Sequence, residues 1–332
     1  MRSMKITVII PSYKRPFDLQ RSLEAIVLQT RPADEVLVIG RKDDTETSNA
    51  VSVFVQRMSM LRLVPVTEPG VIAAVNCGLD NAAGDLLVFT DDDSEPQLDW
   101  LERMEAIFVD ESIGAAGGRD WLQLPDEPAL FRPAPVSRVG VLTWYGTKYG
   151  NHHCRLLGHT TKVMFLKGVN MAFRRRALGS YRIDLKLRGS GAQAGYEMDL
   201  CMHAREAGFD LLFDDRILVK HYSSPRAAGG DRSQLTSSVF PDICFNNHYL
   251  IAKGFGFGRA LAYLCNQRLL GSRTAPGLLA CVKWYVKGDR QAWQRFGQMA
   301  QMGWAGFREG RRTRAIARQD LAKLKLGCSP SH

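Results

Sequence analysis

The chain has 332 residues, about twice the length of an ordinary domain, and 45% are hydrophobic, 23% charged and 9% aromatic. That balance excludes a disordered or fibrous chain and leaves one large α/β domain with an appendage, or two domains. The formal charge of +10 is unevenly placed: residues 253–332 carry fifteen Lys and Arg against Asp289, Glu309 and Asp320, about +12, leaving residues 1–252 at about −2. Basicity confined to one segment weakens any case for a whole protein gripping nucleic acid, and an anionic membrane surface suits it equally well.

The seven cysteines are scattered with no CxxC pair, which fits reduced thiols better than a disulfide frame or a zinc site. The first apolar run ends after about five residues at Pro11, too short for a signal sequence, and no later stretch reaches the roughly 18 uncharged apolar residues of a membrane span. The expected location is cytoplasmic, soluble or peripheral at the inner face of the cell membrane.

Residues 5–10 (KITVII) form a β-branched run that predicts a strand buried on both faces, expected to stop at Pro11. A helix follows, with Asp18 near its start and Leu19, Leu23, Ile26 and Val27 on one stripe. Strands are predicted at 35–39, 61–66 and 85–90, with a small-residue helix over 71–82 ending near Gly84. This alternation means βαβ units, a largely parallel sheet with helices on both faces, and a ligand site at the carboxyl ends of the strands. Three segments fall there: 11–15, 41–44 and 91–93.

Beyond a Pro- and Gly-rich span at 124–158, the pattern returns at 163–173, with a helix near 196–207 and strands at 209–213 and 217–221. From the GFGFG at 254–258, read as a hinge, the chain is helical, basic and aromatic. The resulting division is a catalytic domain over 1–252 and a basic helical appendage over 253–332.

Asp91, Asp92 and Asp93 concentrate three carboxylates at the mouth of the sheet, where a divalent cation is the simplest relief for their repulsion; hard oxygen ligands suit Mg²⁺ or Mn²⁺. The competing reading is a solvated acidic turn leading into a helix at Ser94-Glu95-Pro96. His152, His153, Cys154 and His159 fit no standard zinc spacing.

IIPSYKR, QTRPADEVLVIG, NCGLDNAAGDLLVFTDDD, LKGVNMAFRRRAL and GYEMDLCMHAREAGFDLLFDDRILVKH stand in the order of the motifs of family 2 glycosyltransferases, and residues 5–222 resemble that family. The resemblance implies the A-type glycosyltransferase fold and inverting transfer from a nucleotide-sugar, a UDP-sugar first, to a saccharide or lipid-linked acceptor. It places Pro11, Tyr13 and Arg15 at the nucleobase, Asp91 and Asp92 at the nucleotide, and Asp93 and His221 at Mn²⁺ or Mg²⁺. Glu197 stands where the catalytic base, more often Asp, is expected, with Asp199 at the start of the same helix. Gly168 and Asn170 fall in the acceptor segment, where Asn170 either bonds a sugar hydroxyl or satisfies a turn.

Two departures stand out. Ile39-Gly40-Arg41-Lys42-Asp43-Asp44 replaces the usual Asp-Asp-Gly-Ser run, which leaves Asp43 or Asp44 as substitutes for base recognition, and Val75 takes the place of a cation. Two other functions compete: an inactive adaptor of the same fold, in which Asp91, Asp93 and Glu197 would have no reason to coincide, and a sugar nucleotidyltransferase, whose Gly-rich N-terminal loop this sequence lacks. In the C-terminal segment, Trp284, Tyr285, Trp293, Phe296, Trp304 and Phe307 are interleaved with cations. These helices either lie at an anionic headgroup boundary or pack on the catalytic domain.

Overall fold

The structure, a computed structural model, describes residues 4–122, 134–189, 191, 193–222, 239–272 and 275–327. In chain order the elements are β1 (Ile6–Ser12), α1 (Pro16–Val27), β2 (Glu35–Arg41), α2 (Thr45–Val55), β3 (Leu61–Val66), α3 (Val71–Asn81), β4 (Leu86–Phe89), β5 (Ser94–Pro96), α4 (Trp100–Ile107) and β6 (Ile113–Leu122). There follow β7 (Val141–Leu142), β8 (Lys148–Tyr149), β9 (Thr160–Lys162), a 3₁₀ turn (Gly168–Asn170), β10 (Met171–Arg174), α5 (Arg175–Leu178), α6 (Tyr196–Glu206) and β11 (Asp210–His221). Four helices close the described chain: α7 (Val239–Gly254), α8 (Phe257–Leu269), α9 (Leu278–Val286) and α10 (Ala292–Gly327).

The central sheet runs β3-β2-β1-β4-β10-β6-β11-β5, with β9 on β11. Its first four strands are parallel, and β10 then enters antiparallel between β4 and β6. Alternate residues of β1 serve two cores: Ile6, Val8 and Ile10 pack with α1, α2 and α4, while Ile9 packs with α3, α6 and α7. A strand with helices on both faces has no solvent side, hence its unbroken apolar run.

Several elements differ from their sequence-based expectations. Pro11 lies inside β1, opposite Ile39; β4 pairs β1 only as far as Ile9, so the proline falls where one neighbour has ended and its missing N–H is tolerated. Ser94–Pro96 is a strand, paired antiparallel with the end of β11, and the helix begins only at Trp100. The two strands expected around 209–221 are one strand, β11, whose register against β6 shifts between Asp214 and Leu218. Such a bulge interrupts the apolar alternation by which a strand is recognised.

The 252/253 boundary falls within α7, and helices on both sides of it contribute to one core. Ala260, Tyr263, Leu264 and Phe307 belong to the same buried cluster as Tyr249, Leu250 and the sheet residue Phe89. Close approach of α10 to α7 depends on Gly303, Gly306 and Gly310, which recur on one side of α10. A Cβ at these positions would run into the His248 ring, the Phe245 carbonyl and the Tyr249 carbonyl, respectively. Among the described residues no helix is long and apolar enough to cross a membrane.

We expect Gly306→Val to force α10 away from α7 and to lower unfolding stability by about 2 kcal/mol or more, the usual cost of overpacking a close contact. Chemical denaturation measures this. A midpoint like that of the native protein would show that α10 contributes little to the fold.

Candidate active site

The carboxyl ends of β1, β2 and β4, the far end of β11 and the start of α6 surround a cleft of about 460 Å³. Pro11, Tyr13, Arg15, Asp91, Asp92, Asp93, Gly168, Glu197 and His221 all line it, which brings together most of the residues singled out in the sequence.

The three aspartates divide their roles. Asp92 turns inward, accepting from Ser12 Oγ at 2.9 Å and Arg15 Nη1 at 3.0 Å. The same Arg15 nitrogen is 3.0 Å from Asp93 Oδ2, so one half-buried guanidinium neutralises two neighbouring carboxylates. Burial raises Asp92 to about 7, with Arg15 pulling the other way.

Asp91 and Asp93 converge instead with His221. One ligand atom from each lies within 4.8 Å of the others, and His221 Nε2 is 3.3 Å from Asp93 Oδ1 and 3.9 Å from Asp91 Oδ2. Behind the ring, Asp120 Oδ2 stands 3.9 Å from Nδ1, beyond hydrogen-bond reach but close enough to attract a proton, and is itself paired with Lys167. Burial disfavours a charged His221, yet Asp120 and Asp93 raise its pKa to about 9. Burial also works against ionised Asp120, but His221 and Lys167 hold it down to about 2. Two carboxylates and an imidazole facing one point form a donor set that fits a hard divalent cation, provided His221 gives up its proton to the ligand bond.

Glu197 occupies the first turn of α6, where the helix dipole favours a negative charge, and its carboxylate attracts the half-buried Lys148 on β8. Burial lowers the Lys148 pKa and Glu197 opposes that shift; the ammonium also donates to Asn247 Oδ1 at 2.7 Å. Tyr13 presents an aromatic ring with the Arg41 guanidinium 5.6 Å from its centroid, and both line the cleft.

Four residues from the sequence-based set are not among the lining residues. Asp43 is exposed and ion-paired with Arg41. Asp44 is buried as the N-cap of α2, accepting from the Thr47 and Lys14 amides and the Thr47 hydroxyl, which keeps it ionised below its usual range despite burial. Asn170 is consumed by the fold: its Oδ1 accepts from Trp100 Nε1, and its amide donates to the Arg119 and Ile217 carbonyls. These bonds tie α4, β6 and β11 together rather than closing a turn around Asn170.

Asp199, 1% exposed, faces away from the cleft and accepts from Tyr181 OH, the Asp184 amide and Lys253 Nζ. Lys253 also donates to Asp184 at 3.0 Å, and Tyr249 OH closes the network on Asp184. Burial disfavours the Lys253 ammonium, but Asp199 and Asp184 more than offset it and raise its pKa. The helix carrying Glu197 is thus anchored to the end of α7 by a buried ion pair.

Sequence reasoning missed Asp120, Lys148 and Lys253. Asp120 sits near the carboxyl end of β6, where the strand-end rule would have found it, but IGAAGGRD has too few β-branched residues to read as a strand. Lys253 carried no local signal, because its partners are more than fifty residues away in sequence.

An open, mostly parallel sheet with acidic residues and a histidine converging at its carboxyl edge has the A-type glycosyltransferase fold. Residues 4–238 match the model of the family described as glycosyltransferase like family 2, and the chain belongs to that family. Among curated relatives, the glycosyltransferase AglE of Haloferax volcanii is 31% identical over 116 residues, which make up 34% of this chain and 38% of that protein. This chain thus spans well under half the length of the first curated relatives it matches. The fold is shared with the mannosyltransferase PcManGT from Pyrobaculum calidifontis, solved in complex with GDP-Man and Mn²⁺, at a TM-score of 0.54 and 15% identity over 95% of this chain and 88% of that one. GalNAc-T7, solved with UDP, GalNAc and Mn²⁺, matches with a TM-score of 0.57 and 14% identity over 86% of this chain and 54% of that one.

Lys253→Met should leave the buried Asp199 and the half-buried Asp184 without their shared cation, at a cost of about 3 kcal/mol in unfolding free energy. Asp199→Asn should also lower the denaturation midpoint, whereas Glu197→Gln should leave it nearly unchanged. Equal midpoints for all three variants would contradict the division between an anchoring Asp199 and a cleft-facing Glu197.

Proposed function

We propose that this protein is an inverting, metal-dependent glycosyltransferase that moves a sugar from a nucleoside diphosphate sugar to a hydroxyl of a saccharide or lipid-linked acceptor. The observation that carries this reading is the convergence of Asp91, Asp93 and His221 in the same cleft as Glu197. Synthesis of a surface polysaccharide or glycolipid at the cytoplasmic face of a membrane is the setting we infer.

Asp91, Asp93 and His221 would hold Mn²⁺ or Mg²⁺, which when bound neutralises charge developing on the departing diphosphate. Asp120 orients the His221 ring from behind, and Arg15 keeps Asp92 and Asp93 in place. Tyr13 offers a stacking face to the nucleobase, and Arg41 takes over polar recognition at the position where relatives carry acidic residues. Glu197 accepts the acceptor hydroxyl's proton as that oxygen bonds to the anomeric carbon, and the carbon–oxygen bond to the nucleoside diphosphate breaks on the opposite face. A single displacement of this kind inverts the anomeric centre. The first turn of α6 favours the carboxylate form that the base needs.

Donor identity is tested by thermal stabilisation with a panel of nucleotide-sugars, UDP-sugars first and GDP-mannose alongside, with and without Mn²⁺. In this assay Asp93→Ala should lose metal-dependent stabilisation, and it should lose transfer as well; turnover near that of the native protein would sink the metal assignment. Glu197→Gln should lower kcat by roughly 10² or more with donor affinity little changed, because an amide fills the carboxylate's space but takes no proton. An unchanged kcat would remove Glu197 as the base.

A further inference from the structure

We propose that the outer face of α9 and the first turn of α10 is a docking surface for an anionic lipid bilayer. The inference stands apart from the sugar-transfer reading, since it uses no residue of the cleft.

The C-terminal segment divides into two parts in three dimensions. In α8 and the middle of α10 part of the apolar surface turns inward: Tyr263, Leu264 and Phe307 are buried while Phe257, Leu261, Leu269 and Trp304 stay exposed, and Arg311 and Arg314 donate to carbonyls at the end of α7. In α9 most of the apolar residues face outward. Its sequence, LLACVKWYV, is the most apolar of the C-terminal helices, yet Cys281 is its only buried residue. Leu278, Val282, Tyr285 and Val286 recur at four, seven and eight positions, one side of a helix, and their exposure runs from 36% at Leu278 to 79% at Val286. Trp293, 44% exposed, extends this face, its ring 6.3 Å from that of Tyr285. A nine-residue helix gains little from standing in water with its apolar side outward, so the face has the character of an interaction surface.

Charge decides the occupant. Lys283, Lys287 and Arg290 are exposed beside the apolar stripe, and from residue 243 to 308 the only acidic residue is Asp289, which is paired with Arg295. Apolar side chains flanked by cations, with Trp and Tyr at the margin, match an acyl boundary covered by anionic headgroups. A second copy of this chain would bring the same cations face to face, which disfavours a homodimer here.

The test uses full-length protein sedimented with vesicles of phosphatidylcholine alone or mixed with phosphatidylglycerol. Binding to the mixed vesicles should exceed binding to the neutral ones and fall as salt rises. Val286→Glu should weaken it by roughly tenfold or more through the apolar face, and Lys283→Gln with Lys287→Gln by a similar factor through charge. All three substitutions are at exposed positions, so unfolding midpoints and nucleotide binding should match those of the native protein. Equal sedimentation with both vesicle types at low salt, or full binding by Val286→Glu, would overturn the proposal. A dimer that Val286→Glu converts to monomer, with vesicle binding unchanged, would overturn it in favour of a second copy.

Discussion

Three consecutive carboxylates at the end of a buried strand repel one another, and the cleft is organised around that repulsion. Arg15 enters from the β1–α1 loop and shares its single positive charge between Asp92 and Asp93. His221, delivered from the far side of the sheet by β11, faces Asp93 and Asp91. Asp120 and Lys167 then balance the histidine. Each partner belongs to a different segment, so the charge pattern ties together parts of the chain that are distant in sequence. The antiparallel entry of β10 beside β4 brings Lys167 and the 3₁₀ turn to the same edge. Asp91 and Asp93 are the pair whose oxygens converge with His221.

A second constraint acts on α6. Glu197 can hold its carboxylate at a fixed place in the cleft only if α6 is firmly held. Asp199 holds α6 through a buried ion pair with Lys253, and the glycine side of α10 lets that helix lie close enough to α7 to cover the network. The helices after residue 253 therefore do two jobs in different places. The inward surfaces of α8 and α10 complete the core behind α6, while α9 turns its apolar side outward.

Much of the fold and part of the site were legible in the sequence. Strands buried on both faces announce themselves as runs such as KITVII, and carboxylates directly after such a run must lie at the sheet's carboxyl edge. Glu197 and His221 were found by motif order and do line the cleft. Local sequence was blind where pairing is long-range. Ser94–Pro96 looks like a helix entry because Ser and Pro favour helix starts, and it is a strand because β11 offers it a ladder. The Gly- and Ala-rich β6 is a strand for the same reason: its neighbours supply what its propensity does not.

By itself the sequence determined the alternating βαβ plan, the edge at which the site lies and the kinds of side chain gathered there, because periodicity and strand ends are local properties. Only the tertiary structure decided which of those side chains remain available. Asp91, Asp92 and Asp93 all line the cleft, but only Asp91 and Asp93 converge with His221, while Asp92 is tied to Ser12 and Arg15; Glu197 faces the cleft while Asp199, two residues on, is bound to Lys253; Asn170 is spent on Trp100 and two carbonyls. A polar group buried in the fold must find partners, those partners come from distant segments, and the choice between serving the fold and serving the cleft is made when the segments pack.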